Sequence, residues 1–375
     1  MRICHVSSAH PRYDNRILKR ECVSLASAGY EVAFIVNDDK EDEIFQNVKI
    51  ISTEQAFGES RIKRFISGVN KVYRKALEID ADIYHLHDPE LLLIASSLKR
   101  KGKKVIFDSH EAYAEQIRNK TYIPKILRRL VAAFYLKYET YISNKIDAVI
   151  VPSRIEESGL DYKLSFENRS KLVGYVNNYP RNEELNYKDR KFSADKRTIC
   201  YSGGLTYERG IEHLAAAARI ASAKLLLAGN FSSGEFKKKI MGMAEDESIV
   251  YYGFLNGDEL SEFYRESKIG MCTLLPIGQY HKMSNLPTKT YEYMGMGLPL
   301  IISDFPYNRA FLEKYPVGLL VDPENEKDIA EKIEYLFSHS EEAEEMGRLG
   351  REIFLKNYNW AVAEKELLEI YKKIE

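Results

Sequence analysis

The feature that most constrains this chain is a rhythm: short, almost wholly apolar runs alternate with segments of helix length. RICHVSS, EVAFIV, VKII, DIYHL, KVIFDS and DAVIVPS recur in the first half, and RTICYSG, AKLLLAG, SIVYYG, KIGMCTL, PLIIS and GLLV in the second. Between them lie helical stretches such as RIKRFISGVNKVYRKALE and the segment from Pro124 to Asn144. A strand that is apolar on both sides must be covered on both faces, so the pattern predicts an α/β fold with parallel sheets between helical layers. The rhythm pauses at GYVNNYPRNEELNYKDRKFSADKR, which is polar and has no apolar period. That break, and a length of 375 residues, predict two doubly wound domains, 1–178 and 196–358, joined by a linker at 179–195. The tail carries Trp360, Leu367, Leu368, Ile370 and Tyr371 on one apolar stripe, and such a helix must dock on a domain to persist.

In open parallel sheets ligands bind beyond the carboxyl ends of the strands, so the residues that follow each apolar run are the ones to question. MSNLPTKTYEYMGMGLPLIIS leads a polar loop through Pro287 into a short helix bearing Glu292, closed by Gly295, Gly297 and Pro299 before a strand. A helix start offers unpaired amides and a positive dipole end to a diphosphate. A carboxylate one turn further on can accept from a ribose diol. YSGGLTYERGIEHL runs a strand into Gly203 and Gly204, with a helix expected to start near Glu208 and to hold Arg209 and Gly210 in its first turn. KVIFDSHEAYAEQ puts His110 and Glu111 after a strand, DIYHLHDPELL does the same for His87 and Asp88, and His85 alternates onto the same face. SAHPRYDNRILKRE crowds His10, Arg12, Asp14 and Arg16 into one loop. We read that loop as acceptor or diphosphate recognition, with a surface ion-pair cluster as the competing reading.

These segments resemble glycosyltransferase family 4, whose retaining enzymes have the GT-B fold of two Rossmann-like domains facing across a cleft. LPTKTYEYM with MGMGLPLI is similar to the family's LPxKxxEYM form, and SAHPRYDNRI to a subset reading HPxxDxRI. The resemblance implies that Glu292 binds the ribose, that Arg209 and Lys289 neutralise the departing diphosphate, and that His110 contacts the donor sugar. Ser284 stands where most members carry a second Glu, and Gly204 where most carry an Arg, so Lys289 is the replacement cation. Gly203, Gly204, Asn230, Phe254, Leu255, Ser284, Asn285, Leu286, Pro287 and Thr288 are then donor contacts. His10, Arg12, Asp14, Arg16, His87, Asp88 and Glu111 are assigned to the acceptor. The family's terminal helix, here 359–375, returns to the first domain. The donor implied is a UDP- or GDP-sugar, with no further cofactor. A sugar-nucleotide 2-epimerase and a non-catalytic partner subunit are the alternatives.

Other chemistries lack their signatures. There is no GxGxxG, Walker loop or GxSxG. Asp80 and Asp82 have the spacing of a metal–nucleotide motif but begin a strand instead of following one. No His, Cys and carboxylate cluster has metal-ligand spacing along the sequence, so a metal-independent reaction is expected. Cys4, Cys22, Cys200 and Cys272 are too scattered for a zinc site and read as free buried thiols. No run nears the ~20 apolar residues of a membrane span, and the N-terminus lacks an apolar leader, which reads as cytoplasmic. Charge is uneven: residues 1–178 carry 29 Lys+Arg against 24 Asp+Glu. Arg61–Lys75 and Arg118–Lys137 each hold six bases and no acid, interleaved with large apolar residues. Such runs suit either a solvated helix face or the anionic inner surface of a membrane. The partners expected are a glycan or lipid-linked acceptor and that membrane surface, not nucleic acid.

Overall fold

The computed structural model describes residues 1–54, 61–110, 113–119, 124–152, 166, 169–188, 196–244, 248–278, 280–282 and 285–375, without the side chains of 61–67, 115, 116, 119 and 125. Glu111 and Ser284 lie outside the described residues. Two compact units emerge. The first gathers Met1–Ile155, Asp161–Asn178 and Ala363–Glu375, and the second is built on Tyr179–Val362.

The first unit's sheet has the order β3-β4-β2-β1-β5-β6-β7-β8. Its inner strands are β1 (Arg2–Val6), β2 (Glu31–Val36), β4 (Val48–Ser52), β5 (Ile83–Leu86), β6 (Lys104–Asp108) and β7 (Ala148–Val151). All pair in parallel, and β8 (Val173–Tyr175) extends them at one edge. The exception is β3 (Glu43–Phe45), which pairs antiparallel with β4. It was not expected, because EIF is a three-residue run with no buried position and leaves no apolar signal. Tyr84, Phe107, Val149 and Val151 pack under helices contributing Val69, Val72, Leu92 and Ile142 on one face of the sheet.

The second unit's sheet is wholly parallel, in the order β11-β10-β9-β12-β13-β14. The strands are β9 (Thr198–Ser202), β10 (Lys224–Ala228), β11 (Ile249–Tyr251), β12 (Ile269–Cys272), β13 (Leu300–Ser303) and β14 (Gly318–Val321). Strand β9 is central, so its carboxyl end is flanked by the turns after β10 and β12. The segment expected to be a free linker is, over its described part, a portion of this unit. Leu185 is buried against Gly295, where a Cβ would lie 2.2 Å from its Cδ1, and Ser261 Oγ donates to the Glu184 carbonyl at 3.3 Å.

The terminal helix, Trp360–Ile374, belongs to the first unit from Ala363 onward. Tyr371 is fully buried and its hydroxyl meets His85 Nδ1 at 2.8 Å and His5 Nε2 at 3.3 Å. A Cβ at Gly174 would sit 2.0 Å from Ile370 Cδ1, so that glycine makes room for the helix. All four cysteines are buried and free.

Candidate active site

In the second unit the expected residues gather at the end of β9. The strand finishes in Ser202 and turns through Gly203, whose φ of +120° suits glycine. A Cβ there would lie 3.1 Å from Lys289 Nζ. Lys289 sits in the first turn of the Thr288–Gly295 helix, is buried, and donates to the Tyr201 hydroxyl at 2.7 Å. Its ammonium also stands 4.1 Å from the Tyr201 ring centroid. Arg209 is half-buried, its charge is favoured electrostatically by the same phenol, and it lies 5.4 Å from the Tyr280 ring. Two cations therefore converge on one phenol beside a glycine turn.

The helix start expected near Glu208 is different in fact. Tyr207–Arg209 is one turn of 3-10 helix, and Gly210, at φ +71°, separates it from the Ile211–Ile220 helix. A Cβ at Gly210 would lie 1.9 Å from the Thr273 carbonyl oxygen, so the backbone turns there to clear the β12 loop. Arg209 thus sits on a tight turn before the helix.

Glu292, one turn beyond Lys289, is half-buried and accepts from the Tyr264 hydroxyl at 2.5 Å. Tyr264 also meets Ser202 Oγ at 2.8 Å, and the Ser202 amide donates to the Tyr293 hydroxyl at 3.0 Å. The carboxylate and the Lys289 ammonium are therefore tied to adjacent residues, Ser202 and Tyr201. Pro287 precedes the helix and its carbonyl accepts from the Thr290 amide at 2.9 Å, leaving the amides nearer the start unpaired within it. Leu286 is buried, and its amide donates to the Tyr291 hydroxyl at 3.3 Å. Asn285 and Thr288 are half-buried. Gly204 offers its carbonyl to Tyr201 at 3.2 Å. Asn230 follows β10 and its carbonyl accepts from the Leu205 amide at 2.9 Å. Phe254 follows β11 and is exposed, with Leu255 half-buried beside it. The tyrosines Tyr201, Tyr264 and Tyr293 were missed, because a tyrosine inside an apolar strand or helix reads as core.

The first unit brings together a different group. Asp88 is buried and receives Ser7 Oγ at 2.8 Å, the Ser8 amide at 2.7 Å and the Ala9 amide at 3.2 Å, with His10 Nδ1 3.0 Å away. Burial opposes its ionisation, but the His10 partnership and these hydrogen bonds outweigh it and hold the carboxyl down at about 2. Burial likewise disfavours the His10 imidazolium, and Asp88 more than offsets it. His110 is half-buried, with its ring centroid 4.9 Å from that of His10 and its Nε2 3.3 Å from Asp108 Oδ2. His87 is buried behind it, with Nδ1 3.3 Å from His110 Nε2.

Three residues assigned to the acceptor are instead spent inside the protein. Arg12 is buried and grips Asp38 through Nε at 2.7 Å and Nη2 at 2.9 Å, while Nη1 reaches Glu43 and the Glu41 carbonyl. Asp14 Oδ1 caps a helical start, accepting from the Arg16 and Ile17 amides at 2.8 and 2.9 Å. Arg16 is buried, clamps Asp108 through Nε and Nη2, and gives Nη1 to the Val176 carbonyl. Burial opposes ionisation of Asp108, yet Arg16 keeps it well below the usual carboxylate range. Burial and that neighbouring carboxylate push Glu21 well above it.

Residues far apart along the sequence also meet in this unit. Parallel pairing sets His5 beside His85, and the donor atoms of His5, Glu21, His85 and His87 lie within 4.8 Å of one another, as do those of His87, Asp108 and His110. The rings of His85 and His87 stack at 4.5 Å with 22° between planes, and those of His5 and His87 at 5.1 Å and 19°. His5 Nδ1 and His87 Nε2, 2.9 Å apart, form a hydrogen bond. Asp80 and Asp82 precede β5 and pair with Lys103 and the Arg2 amide.

Comparison with known proteins agrees with this fold. Solved structures similar over the whole chain include sucrose-phosphate synthase from Thermosynechococcus elongatus, at 18% identity and a TM-score of 0.76, covering 100% of this chain and 98% of that one. HepE from Anabaena, in complex with UDP and glucose, matches at 12% identity and a TM-score of 0.68, covering 100% of each. Spore coat protein SA of Bacillus subtilis is 28% identical over 137 residues, 36% of this chain and 34% of that protein. A glycosyltransferase of Methanocaldococcus jannaschii is 25% identical over 185 residues, 48% of this chain and 45% of its own. The matched region is thus less than half the length of either curated relative. The model for Glycosyltransferase Family 4 matches residues 15–162, and that for Glycosyl transferases group 1 matches residues 182–353. With both models met in order and a GT-B fold, the chain belongs to the family 4 glycosyltransferases.

Proposed function

We propose that this protein transfers a hexose-type sugar, with retention, from a UDP- or GDP-sugar to a glycan or lipid-linked acceptor at the cytoplasmic face of a membrane. The observation that carries the donor half is the convergence of Lys289 and Arg209 on Tyr201, beside the Gly203 turn and the Thr288–Gly295 helix start. A diphosphate there meets two cations and a helix dipole, and a ribose one turn along meets Glu292. HepE, of the same fold, is named as a complex with UDP and glucose, which supports a nucleotide-sugar donor.

Retaining transfer passes through an oxocarbenium-like state while charge grows on the departing diphosphate. Groups fixed before reaction stabilise that charge more than they stabilise the bound donor. Lys289 is fixed in this way, because Tyr201 holds its ammonium at the turn. Glu292, the carboxylate beside the cations among the described residues, is given to the ribose and not to the sugar's reacting carbon. This favours a front-face route in which the departing phosphate oxygen takes the acceptor's proton and no metal is required. His110, paired with Asp108, is assigned to the donor sugar by the family resemblance.

A thermal-shift panel of UDP, GDP, ADP and TDP tests the donor site. A nucleotide at ~100 times its dissociation constant adds about 2.7 kcal/mol, and Glu292→Gln removes most of that gain. Stabilisation by none of the four, or an unchanged shift in the variant, refutes the site. Epimerised sugar formed from the donor alone would identify the epimerase instead.

A further inference from the structure

We propose that the Lys125–Ser143 helix is a docking surface for an anionic lipid bilayer. It is amphipathic in the inverted sense. Ile126 is 87% exposed, Leu130 66% and Phe134 76%, and at spacings of four they form one outward ridge. Leu127, Val131 and Tyr141 are also exposed on that side. The helix's one acid, Glu139, is turned inward and buried, where Arg169 pairs with it at 2.9 Å and the Tyr135 hydroxyl donates to it at 3.0 Å. A water-facing helix places its charge outward and its large apolar residues inward. This one keeps its acid within and presents isoleucine, leucine and phenylalanine to solvent, an arrangement that marks an interaction surface.

Charge identifies what covers it. Arg129 and Lys137 are exposed on the same helix, Arg118 is exposed on the Tyr113–Asn119 helix that packs against it, and among the described side chains the Lys125–Ser143 helix exposes no acid. The Arg61–Ile79 helix, with Lys71, Arg74 and Lys75, covers the same face of the sheet, since Val69, Val72 and Ala76 share a core cluster with Ile142. An apolar ridge flanked by exposed bases matches the boundary between acyl chains and anionic headgroups. A second copy would bring an equally basic face and be repelled. No helix among the described residues is long and apolar enough to cross a membrane, so this one lies along the surface. The inference supplies a contact for the membrane-borne acceptor proposed above, and its test does not involve the nucleotide.

The full chain is sedimented with vesicles of phosphatidylcholine alone and of phosphatidylcholine mixed with phosphatidylglycerol. Binding is expected to the anionic vesicles only and to weaken with salt. Arg129→Gln with Lys137→Gln lowers the partition coefficient about 30-fold, at ~1 kcal/mol per base. Ile126→Ser with Phe134→Ser lowers it about tenfold or more, with the melting temperature and nucleotide-induced stabilisation unchanged. Wild-type protein left in the supernatant, equal binding to both vesicles, or full binding by the serine variant overturns the proposal. A concentration-dependent dimer abolished by Phe134→Ser assigns the face to a second copy and overturns it as well.

Discussion

Replacing Tyr201 by phenylalanine isolates the device that holds the Lys289 ammonium in place. The hydroxyl accepts from Lys289 at 2.7 Å and donates to the Gly204 carbonyl at 3.2 Å. The ring remains, so packing and the cation–π contact at 4.1 Å are kept. What is lost is a hydrogen bond to a buried ammonium, about 1.5–3 kcal/mol. For a domain the size of the second unit, roughly 2 kcal/mol lowers the melting temperature by about 4–8 °C. A bound diphosphate gives the same ammonium a stronger partner. The difference between wild type and variant therefore narrows as nucleotide is added, which calorimetry at increasing UDP or GDP measures. Equal melting temperatures without ligand, or a gap that nucleotide leaves untouched, refutes the reasoning.

Gly203→Ala places a side chain at φ +120° and 3.1 Å from Lys289 Nζ; it costs about 1–3 kcal/mol and weakens nucleotide binding, read by denaturant melts and titration calorimetry. Asp88 has its carboxyl lowered from 3.8 to about 2, so its ionised form stabilises the fold above the unfolded value and that gain disappears as pH falls through the folded one. The shift is worth about 2 kcal/mol, and melting curves of Asp88→Asn converge on wild type between about pH 4 and pH 2. Arg16→Gln leaves the ionised Asp108 carboxylate buried without its cation and costs about 3–5 kcal/mol in urea unfolding; an acceptor residue at the surface would cost little.

Much of the sheet was legible because apolarity is local. EVAFIV and KLLLA read as buried strands from their own residues, whereas EIF at β3 and VGY at β8 are too short and too mixed to announce themselves. The cradle in the second unit was half legible. Lys289, Glu292 and the glycines stand in a motif, but Tyr201 and Tyr264 look like core until the structure brings their hydroxyls to Lys289 and Glu292. The HPRYDNRI loop left two readings open for a related reason. Arg12 finds Asp38 26 residues away and Arg16 finds Asp108 92 residues away, and no local pattern reveals partners at that range. A polar loop rich in charge looks like a binding site until its charges are seen to be satisfied. The outward ridge on the Lys125–Ser143 helix was invisible too, since periodicity locates an apolar stripe without saying which way it faces.

The most direct measurement is a crystal structure with UDP or GDP bound. The account predicts the diphosphate within hydrogen-bond reach of both Lys289 and Arg209 at the end of β9, with Glu292 turned from Tyr264 to the ribose hydroxyls. A nucleotide seated elsewhere, with Glu292 still held by Tyr264, would contradict it.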